Sequence, residues 1–271
     1  MKKHKFKFPF AQITGVALVF LLLTFTALLI NSAIVKLPCF LIKEVLSQKV
    51  GEGDLSPFRV IDLTYLKGKN IFFVNLPQEC RRTLQLYPSC KDVRIIKVIP
   101  DRLYVDFIMR KPVAIAKLHR NFYVDDEGVL FDMQAKIKEE LCVPQILGLN
   151  TRILEAIPGR KYENNNLILA LQIIRGLRDI AVLKDWKITK IDVSDNSNTS
   201  IILSKPPELA NGLKTSSRDK VELIEVKIGG SFIRDNLNIL GSLFTHEKEN
   251  LSNIEYVDLR FKEPVIKFKE L

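Results

Sequence analysis

An uncharged, apolar stretch near the N-terminus constrains this chain more than any other feature of its sequence. Residues 11–35 contain 25 positions without a charged side chain. As a helix that rises about 1.5 Å per residue, they span about 37 Å, and a hydrocarbon core is about 30 Å thick. We therefore expect one transmembrane helix here. The apolar side chains taken as its anchor residues are Val16, Leu18, Phe20, Leu22, Phe25 and Leu28.

A cleaved signal peptide is the alternative interpretation of the same stretch. Its apolar region is longer than the usual about 7–15 residues, and Asn31-Ser32-Ala33 is a poor cleavage site because it begins with Asn. Lys2, Lys3, Lys5 and Lys7 precede the stretch, and positive flanks stay in the cytoplasm. We expect residues 1–10 to be a cytoplasmic tail and the chain after residue 35 to lie outside the cytoplasm.

Composition narrows the class of protein. The chain has 271 residues, of which 47% are hydrophobic and 27% charged, so a disordered, collagen-like or multi-span membrane protein is excluded. The net charge is +10 at pH 7, but no dense run of basic residues is interleaved with aromatic ones. We therefore expect no nucleic-acid partner.

The four cysteines do not have the spacing of a metal site. They stand at positions 39, 80, 90 and 142, without a C-x-x-C pair, so we expect no metal. In an oxidising compartment Cys80 and Cys90 are a possible disulfide, since a short helix between them would bring them together. The alternative is four buried thiols.

Residues 39–110 predict the element order βααββ. The two final strands are the clearest, because apolar and other side chains alternate along them. The predicted elements are a strand over 39–50, a helix over 56–66 followed by an extended piece over 70–74, a helix over 78–87, and strands over 93–99 and 103–109.

The rest of the chain predicts short strands and two amphipathic helices. One helix covers 167–180, with Leu167, Leu171, Ile174 and Leu177 on one face. The other covers 232–244. Residues 204–220 predict a long loop, and strands over 254–261 and 265–268 close the chain. The fold class is therefore α+β: one transmembrane helix, a βααββ domain and a mixed-sheet domain.

Several local strings resemble the FtsQ/DivIB family of bacterial cell-division proteins when taken in their order along the chain. They include LKGKNIFFV from Leu66, VIPDRL from Val98, RKPVA from Arg110, FYVDDEG from Phe122, VPQILG from Val143 and YVDLRF from Tyr256. The resemblance implies a POTRA domain over 37–110 and an FtsQ-type β domain over 111–271.

The resemblance also implies a function and a location. It indicates a non-enzymatic divisome scaffold in the cell inner membrane at the division septum, with a periplasmic ectodomain. Its partners would be FtsB-like and FtsL-like proteins and other divisome components, without a cofactor or a small-molecule substrate. The alternative is a membrane-anchored POTRA protein in envelope protein assembly or secretion. The sequence contains no nucleophile elbow, P-loop or H-E-x-x-H motif, and we assign no catalytic residue.

The C-terminal strands carry the candidate binding site. Pro264 cannot donate to a β-ladder, which favours an edge position, and an open edge pairs with an incoming strand. The resemblance adds Phe261 as an aromatic contact and places Val265, Ile266 and Phe268 on the strand that pairs with an FtsB-like partner. The alternative is that both Phe residues are only core. The candidate residues are Tyr256, Asp258, Arg260, Phe261, Pro264, Val265, Ile266 and Phe268.

Overall fold

The computed structural model describes residues 10–49, 62–132, 143–205, 222–230, 232–247 and 250–269, and within its first helix it describes side chains at 15, 17–33 and 35. Over these residues the chain is a mixed α+β protein, as the sequence predicts. The basic tail, most of the predicted helix over 56–66 and most of the predicted loop over 204–220 fall outside the described residues.

The described residues contain four α-helices and twelve strands. The helices are α1 (Phe10–Val35), α2 (Leu76–Leu86), α3 (Asn165–Arg178) and α4 (Ile233–His246). The strands are β1 (Glu44–Lys49), β2 (Cys90–Val98), β3 (Arg102–Met109), β4 (Ala114–Lys117), β5 (Asn121–Val124), β6 (Leu130–Phe131), β7 (Gln145–Leu147), β8 (Lys187–Asp192), β9 (Thr199–Lys205), β10 (Glu222–Ile228), β11 (Ile254–Asp258) and β12 (Val265–Phe268).

Helix α1 covers the uncharged stretch and has 26 residues. The predicted anchor residues Leu18, Phe20, Leu22, Phe25 and Leu28 lie exposed on it, whereas the side chain of Val16 is outside the described set. Among the residues that the structure describes, no helix reaches the combined length and apolarity of a membrane span. The transmembrane anchor therefore stays a prediction.

The chain forms two compact units. Unit 1 contains residues 1–50, 60–83 and 93–107, and unit 2 contains residues 51–59, 84–92 and 108–271. The predicted domain boundary at residue 110 stays a prediction.

Unit 1 is built on a three-stranded sheet with the order β1-β3-β2. Strand β1 runs parallel to β3, with Glu44 beside Arg102. Helix α2 confirms the second predicted helix, whereas a short 3-10 helix, Thr64–Leu66, stands at the end of the first. The core of the unit contains Leu66, Ile71, Leu103 and Val105, all fully buried.

The extended piece predicted over residues 70–74 is wrong, because residues 71–73 form a turn. Asn70 causes it: its side-chain Oδ1 accepts a hydrogen bond from the Phe72 backbone N–H at 2.9 Å, and its backbone carbonyl accepts from the Phe73 N–H at 3.1 Å. An Asn side chain that bonds the backbone two residues on is a common turn former.

Unit 2 is built on a nine-stranded sheet with the order β12-β11-β10-β9-β8-β7-β4-β5-β6. Two of its neighbouring pairs, β7 with β8 and β10 with β11, are parallel and follow each other in sequence. Parallel neighbours need a crossover connection, and α3 and α4 supply the two crossovers. The sequence predicted both helices but not these pairings.

Both predicted amphipathic helices are confirmed, together with their apolar faces. Leu167, Leu171, Ile174 and Leu177 of α3 are all buried, in one core cluster with Leu237, Leu240 and Phe244 of α4. Gly176 allows the helices to approach closely, since a Cβ at that position would lie 2.3 Å from Leu237 Cδ1.

A buried ion pair holds the β5–β6 hairpin of unit 2. The Arg110 Nη1 donates to Asp125 Oδ2 at 2.5 Å, and the two side chains are 11% and 2% exposed. The other carboxylate oxygen, Oδ1, accepts from the backbone N–H groups of Glu127 at 3.0 Å and Val129 at 2.8 Å. The Arg110 Nε also donates to the Pro88 carbonyl at 3.3 Å. Asp125 therefore has a structural role in this turn.

The structure does not form the possible Cys80–Cys90 disulfide. Cys39, Cys80 and Cys90 are free thiols, exposed, half-buried and buried respectively, so the alternative of buried thiols holds for Cys90 but not for Cys39. The Cys90 Sγ lies 3.2 Å from the Asp92 carbonyl oxygen and 3.3 Å from that of Ile108. Burial is the largest cause that raises the pKa of Cys90, to about 11.

We predict that Cys90 reacts more slowly with an alkylating reagent at neutral pH than Cys39 or Cys80. The thiolate is the nucleophile, and a pKa of about 11 leaves almost none of it. Peptide mass spectrometry after timed treatment of the folded chain with iodoacetamide measures the three rates. Equal rates in the folded chain would contradict the buried position of Cys90.

We predict that Arg110→Ala lowers the free energy of unfolding by about 3–5 kcal/mol, because it leaves the Asp125 carboxylate buried without its cation. Urea unfolding measures the change. The control is Lys161→Ala, which removes a solvent-exposed pair with Glu163 and should cost less than about 1 kcal/mol. A similar small loss for both variants would show that the buried pair contributes little.

Candidate binding edge

Strand β12 lies at one end of the nine-stranded sheet. It pairs antiparallel with β11, with Asp258 beside Val265 and Val257 beside Ile266, and no other described strand lies along its second side. An edge strand presents backbone N–H and C=O groups that an added strand can pair with. The described residues therefore place the predicted strand 265–268 at an edge.

Apolar side chains are exposed on and beside this edge. Phe261 is 61% exposed, Val265 44% and Phe268 47%. Ile266 points the other way along the pleat from Val265 and packs partly against the core cluster. The alternative in which Phe261 and Phe268 are core residues does not match this exposure.

The strand predicted over residues 254–261 is shorter and less regular than expected. Strand β11 ends at Asp258, so Arg260 and Phe261 lie beyond it in the connection to β12. An irregularity between Ile254 and Tyr256 breaks the pairing register. Since a bulge adds one residue to one strand, Ile254 and Val257 both face the core although they are three positions apart.

Asp258 is buried and positions Arg260. The Arg260 Nε donates to Asp258 Oδ1 at 2.9 Å and its Nη2 to Oδ2 at 2.6 Å, which is a bidentate pair. These hydrogen bonds lower the pKa of Asp258. The third guanidinium nitrogen, Nη1, donates to Asn198 Oδ1 at 2.9 Å. Asp258 is 5% exposed, so its carboxylate does not lie at the surface. It affects the surface by holding Arg260 in place.

Arg260 in turn lies beside the exposed aromatic ring of Phe261, with 5.8 Å between its guanidinium carbon and the ring centroid. Tyr256 is half-buried between two ammonium groups, with Lys227 Nζ 5.2 Å and Lys267 Nζ 6.0 Å from its ring centroid. Lys267 also forms a 2.9 Å ion pair with Glu255. Pro264 is exposed immediately before β12.

The structure adds three residues that sequence reasoning missed at this edge: Asn198, Lys227 and Lys267. Asn198 comes from the turn between β8 and β9, and no local pattern links it to Arg260, which is 62 positions away. Lys267 belongs to β12, and the alternation of 265–268 places it on the same face as Val265. This two-residue period was the sequence signal that could have identified Lys267.

The edge also carries features that limit unspecific pairing. Strand β12 has only four residues, follows a proline and contains Lys267. Short edge strands with Pro and Lys are a common protection against aggregation. Unspecific strand addition is thus disfavoured. A specific partner would need apolar side chains that match the exposed Phe261, Val265 and Phe268.

No group of three or more His, Cys, Asp or Glu side chains within the described ranges is arranged to hold a metal ion. The chemistry of this edge is that of a surface for backbone pairing, apolar contact and hydrogen bonds from Arg260.

We predict that Asp258→Asn makes the free energy of unfolding less dependent on pH in the acid range. The pKa of Asp258 is lowered in the folded state, so its ion pair stabilises the fold above about pH 4 and is lost as the pH falls through the folded-state value. Between pH 7 and pH 3, the parent should lose more free energy of unfolding than Asp258→Asn in urea titrations. The control Asp185→Asn changes an exposed carboxyl elsewhere and should follow the parent. Parallel curves for all three would show that the pair adds no stability.

Comparison with known proteins gives two significant relatives among curated proteins, and no family model matches the chain. A cell division protein FtsQ from Koribacter versatilis is 22% identical over 199 residues, which are 73% of this chain and 52% of that protein. A cell division protein FtsQ from Syntrophotalea carbinolica is 27% identical over 199 residues, which are 73% of this chain and 64% of that protein.

The chain therefore spans between about half and two thirds of the length of the curated relatives that it matches. Both relatives carry the same name. The sequence comparison supports the resemblance to the FtsQ/DivIB family: over 73% of its length the chain is similar to two cell division proteins FtsQ.

Proposed function

We propose that this protein is a non-enzymatic scaffold of the bacterial division machinery. It is anchored in the inner membrane by residues 11–35 and binds FtsB-like and FtsL-like partners at the edge formed by β12 and Phe261. The observation that carries the binding site is the edge position of β12, together with the exposure of Phe261, Val265 and Phe268. The similarity to two cell division proteins FtsQ supports the role in division.

The partner adds a strand to β12. Backbone hydrogen bonds to an open edge supply affinity, and pockets for alternate side chains supply selectivity. Because β12 has only four residues, the backbone contribution is small, and the exposed aromatic and aliphatic side chains carry much of the binding. Arg260, held by Asp258, offers hydrogen bonds to a carboxylate or a carbonyl of the partner.

The anchor makes weak binding sufficient. The sequence over residues 11–35 supports it, as do the exposed apolar side chains of α1, which cover every side of the helix between Leu18 and Ile30. Confinement of two proteins to one membrane raises their effective concentration. The assembled complex would regulate septal cell-wall synthesis by other enzymes, with residues 37–110 as a POTRA domain that offers a second surface to divisome components.

We predict that Phe261→Lys weakens binding of the FtsB-like ectodomain from the same genome at least about tenfold, since a desolvated aromatic anchor contributes about 2 kcal/mol or more to an interface. The free energy of unfolding should stay unchanged, because the ring is 61% exposed. Binding is measured by biolayer interferometry with the full chain in lipid nanodiscs, and folding by urea unfolding.

The matched control is Leu154→Lys, which places the same charge on another exposed apolar residue of unit 2, 81% exposed. It should bind like the parent. If Phe261→Lys binds as tightly as the parent, the binding site is not at β12. A parent that folds but binds no division partner would contradict the proposed function. An unfolded Phe261→Lys would support the alternative that the ring is a core residue.

A further inference from the structure

The end of α1 is fixed to a loop of unit 1 by one side chain. Asn70 Nδ2 donates to the carbonyl of Val35, the last residue of α1, at 2.7 Å. The same side chain holds the turn at Phe72, and the Ile71 N–H donates to the Phe40 carbonyl at 2.9 Å. The loop 70–73 therefore lies within one hydrogen bond of the point where the uncharged stretch ends.

This loop presents apolar side chains to solvent. Phe73 is 69% exposed and Phe72 39%, although both belong to a well-packed turn beside the buried Ile71. The Phe72 ring contacts that of Phe40 edge-on, with 5.0 Å between centroids. Leu37, directly after α1, is 46% exposed. A cluster of exposed apolar side chains marks a surface that contacts a membrane, a ligand or another protein.

The residues around the loop are basic. Lys36, Lys67 and Lys69 are exposed, and Lys97 donates through Nζ to the Phe72 carbonyl at 3.3 Å. Two acidic groups at the same end of the sheet already have cations: Asp101 pairs with Lys43 at 2.9 Å, and Glu44 with Arg102 at 3.3 Å. A third carboxylate, Asp62, lies close enough to Lys67 for its pKa to be lowered mainly by hydrogen bonds from Thr64 and in part by that lysine, and it offsets part of the charge. With Lys36, Lys69 and Lys97, the net charge beside the apolar side chains is positive.

We propose that this juxtamembrane patch, formed by Leu37, Phe72, Phe73, Lys36, Lys67 and Lys69, lies on the anionic surface of the bilayer that holds α1. The inference rests on the anchor of the proposed function and deepens it. If α1 crosses the bilayer, its end at Val35 stands at the level of the headgroups, and Asn70 places the loop 70–73 at the same level. Aromatic and aliphatic side chains enter the boundary of headgroups and acyl chains, while lysines meet the lipid phosphates.

The contact would set the orientation of unit 1 on the membrane. A domain held at one point can tilt about that point, whereas a second point of contact restricts tilt. The attraction of a few lysines to an anionic surface is enough to bias the orientation but not to anchor the domain alone. The patch thus orients a unit that α1 already holds.

Fluorescence quenching by lipids tests the patch in the full chain. The chain has one tryptophan, Trp186, which is 8% exposed and belongs to the core of unit 2. Phe73→Trp adds a reporter at the patch. Gln48→Trp is the control, because it adds one at an exposed position of β1, four residues along the strand from Glu44. Both variants are reconstituted in vesicles of phosphatidylglycerol and phosphatidylcholine with brominated acyl chains.

We expect the emission of Phe73→Trp to fall in brominated vesicles relative to ordinary vesicles, and its added tryptophan to emit at a shorter wavelength than that of Gln48→Trp, whose added tryptophan should not be quenched. Lys67→Glu with Lys69→Glu, or vesicles of phosphatidylcholine alone, should reduce that loss. Equal emission of Phe73→Trp in brominated and ordinary vesicles would overturn the inference, and quenching that ignores both charge changes would overturn its electrostatic part.

Flotation of the parent on a density gradient separates this inference from the anchor. If the parent floats with the vesicles after a high-salt wash while the added tryptophan of Phe73→Trp stays unquenched, the anchor is kept and the patch is overturned. A parent that does not float overturns both.

Discussion

The strand order of unit 2 depends on two crossover helices, each of which joins two neighbouring parallel strands. Helices α3 and α4 each connect two parallel neighbours, and their apolar faces meet in one core cluster. The second crossover takes the chain from β10 past the sheet and returns it as β11. Strand β12 then turns back along β11, so the last strand of the fold has one described neighbour. The open edge is thus a consequence of the chain path and not a local defect.

Two carboxylate–guanidinium pairs have similar roles in different places. Asp125 with Arg110 closes the β5–β6 hairpin, and Asp258 with Arg260 shapes the connection between β11 and β12. In each pair the carboxylate is buried and also accepts backbone N–H groups, so the side chain fixes the local backbone. The first pair is buried on both sides, whereas the second leaves part of its guanidinium at the surface. The second can therefore both hold the turn and contact a partner.

The sequence predicted those elements whose side chains repeat with a clear period. Strands β2 and β3 and helices α3 and α4 were found because alternation or a 3.6-residue period marks a buried face. It did not predict the bulge at Ile254–Tyr256, the turn at Asn70 or the burial of Asp258. A bulge shifts the faces without a change in composition, and Arg260, the partner of Asp258, also bonds Asn198, which is remote in sequence.

The edge position of β12 was predictable from the sequence, whereas the arrangement of the side chains beside it was not. Pro264 and the order of the last strands pointed to an edge, and the resemblance pointed to Phe261. The exposure of Phe261 and the way in which Asp258 holds Arg260 needed the tertiary structure. Tyr256 and Asp258 were expected as contacts, whereas one is half-buried between lysines and the other is buried.

Hydrogen exchange on the full chain in nanodiscs, with and without the FtsB-like ectodomain, tests the central claim most directly. Strand addition pairs those backbone N–H groups of residues 265–268 that β11 leaves unpaired. The account predicts slower exchange there on binding, with little change in β10, whose backbone is already paired on both sides. Binding that slows exchange elsewhere and leaves residues 265–268 unchanged would contradict it.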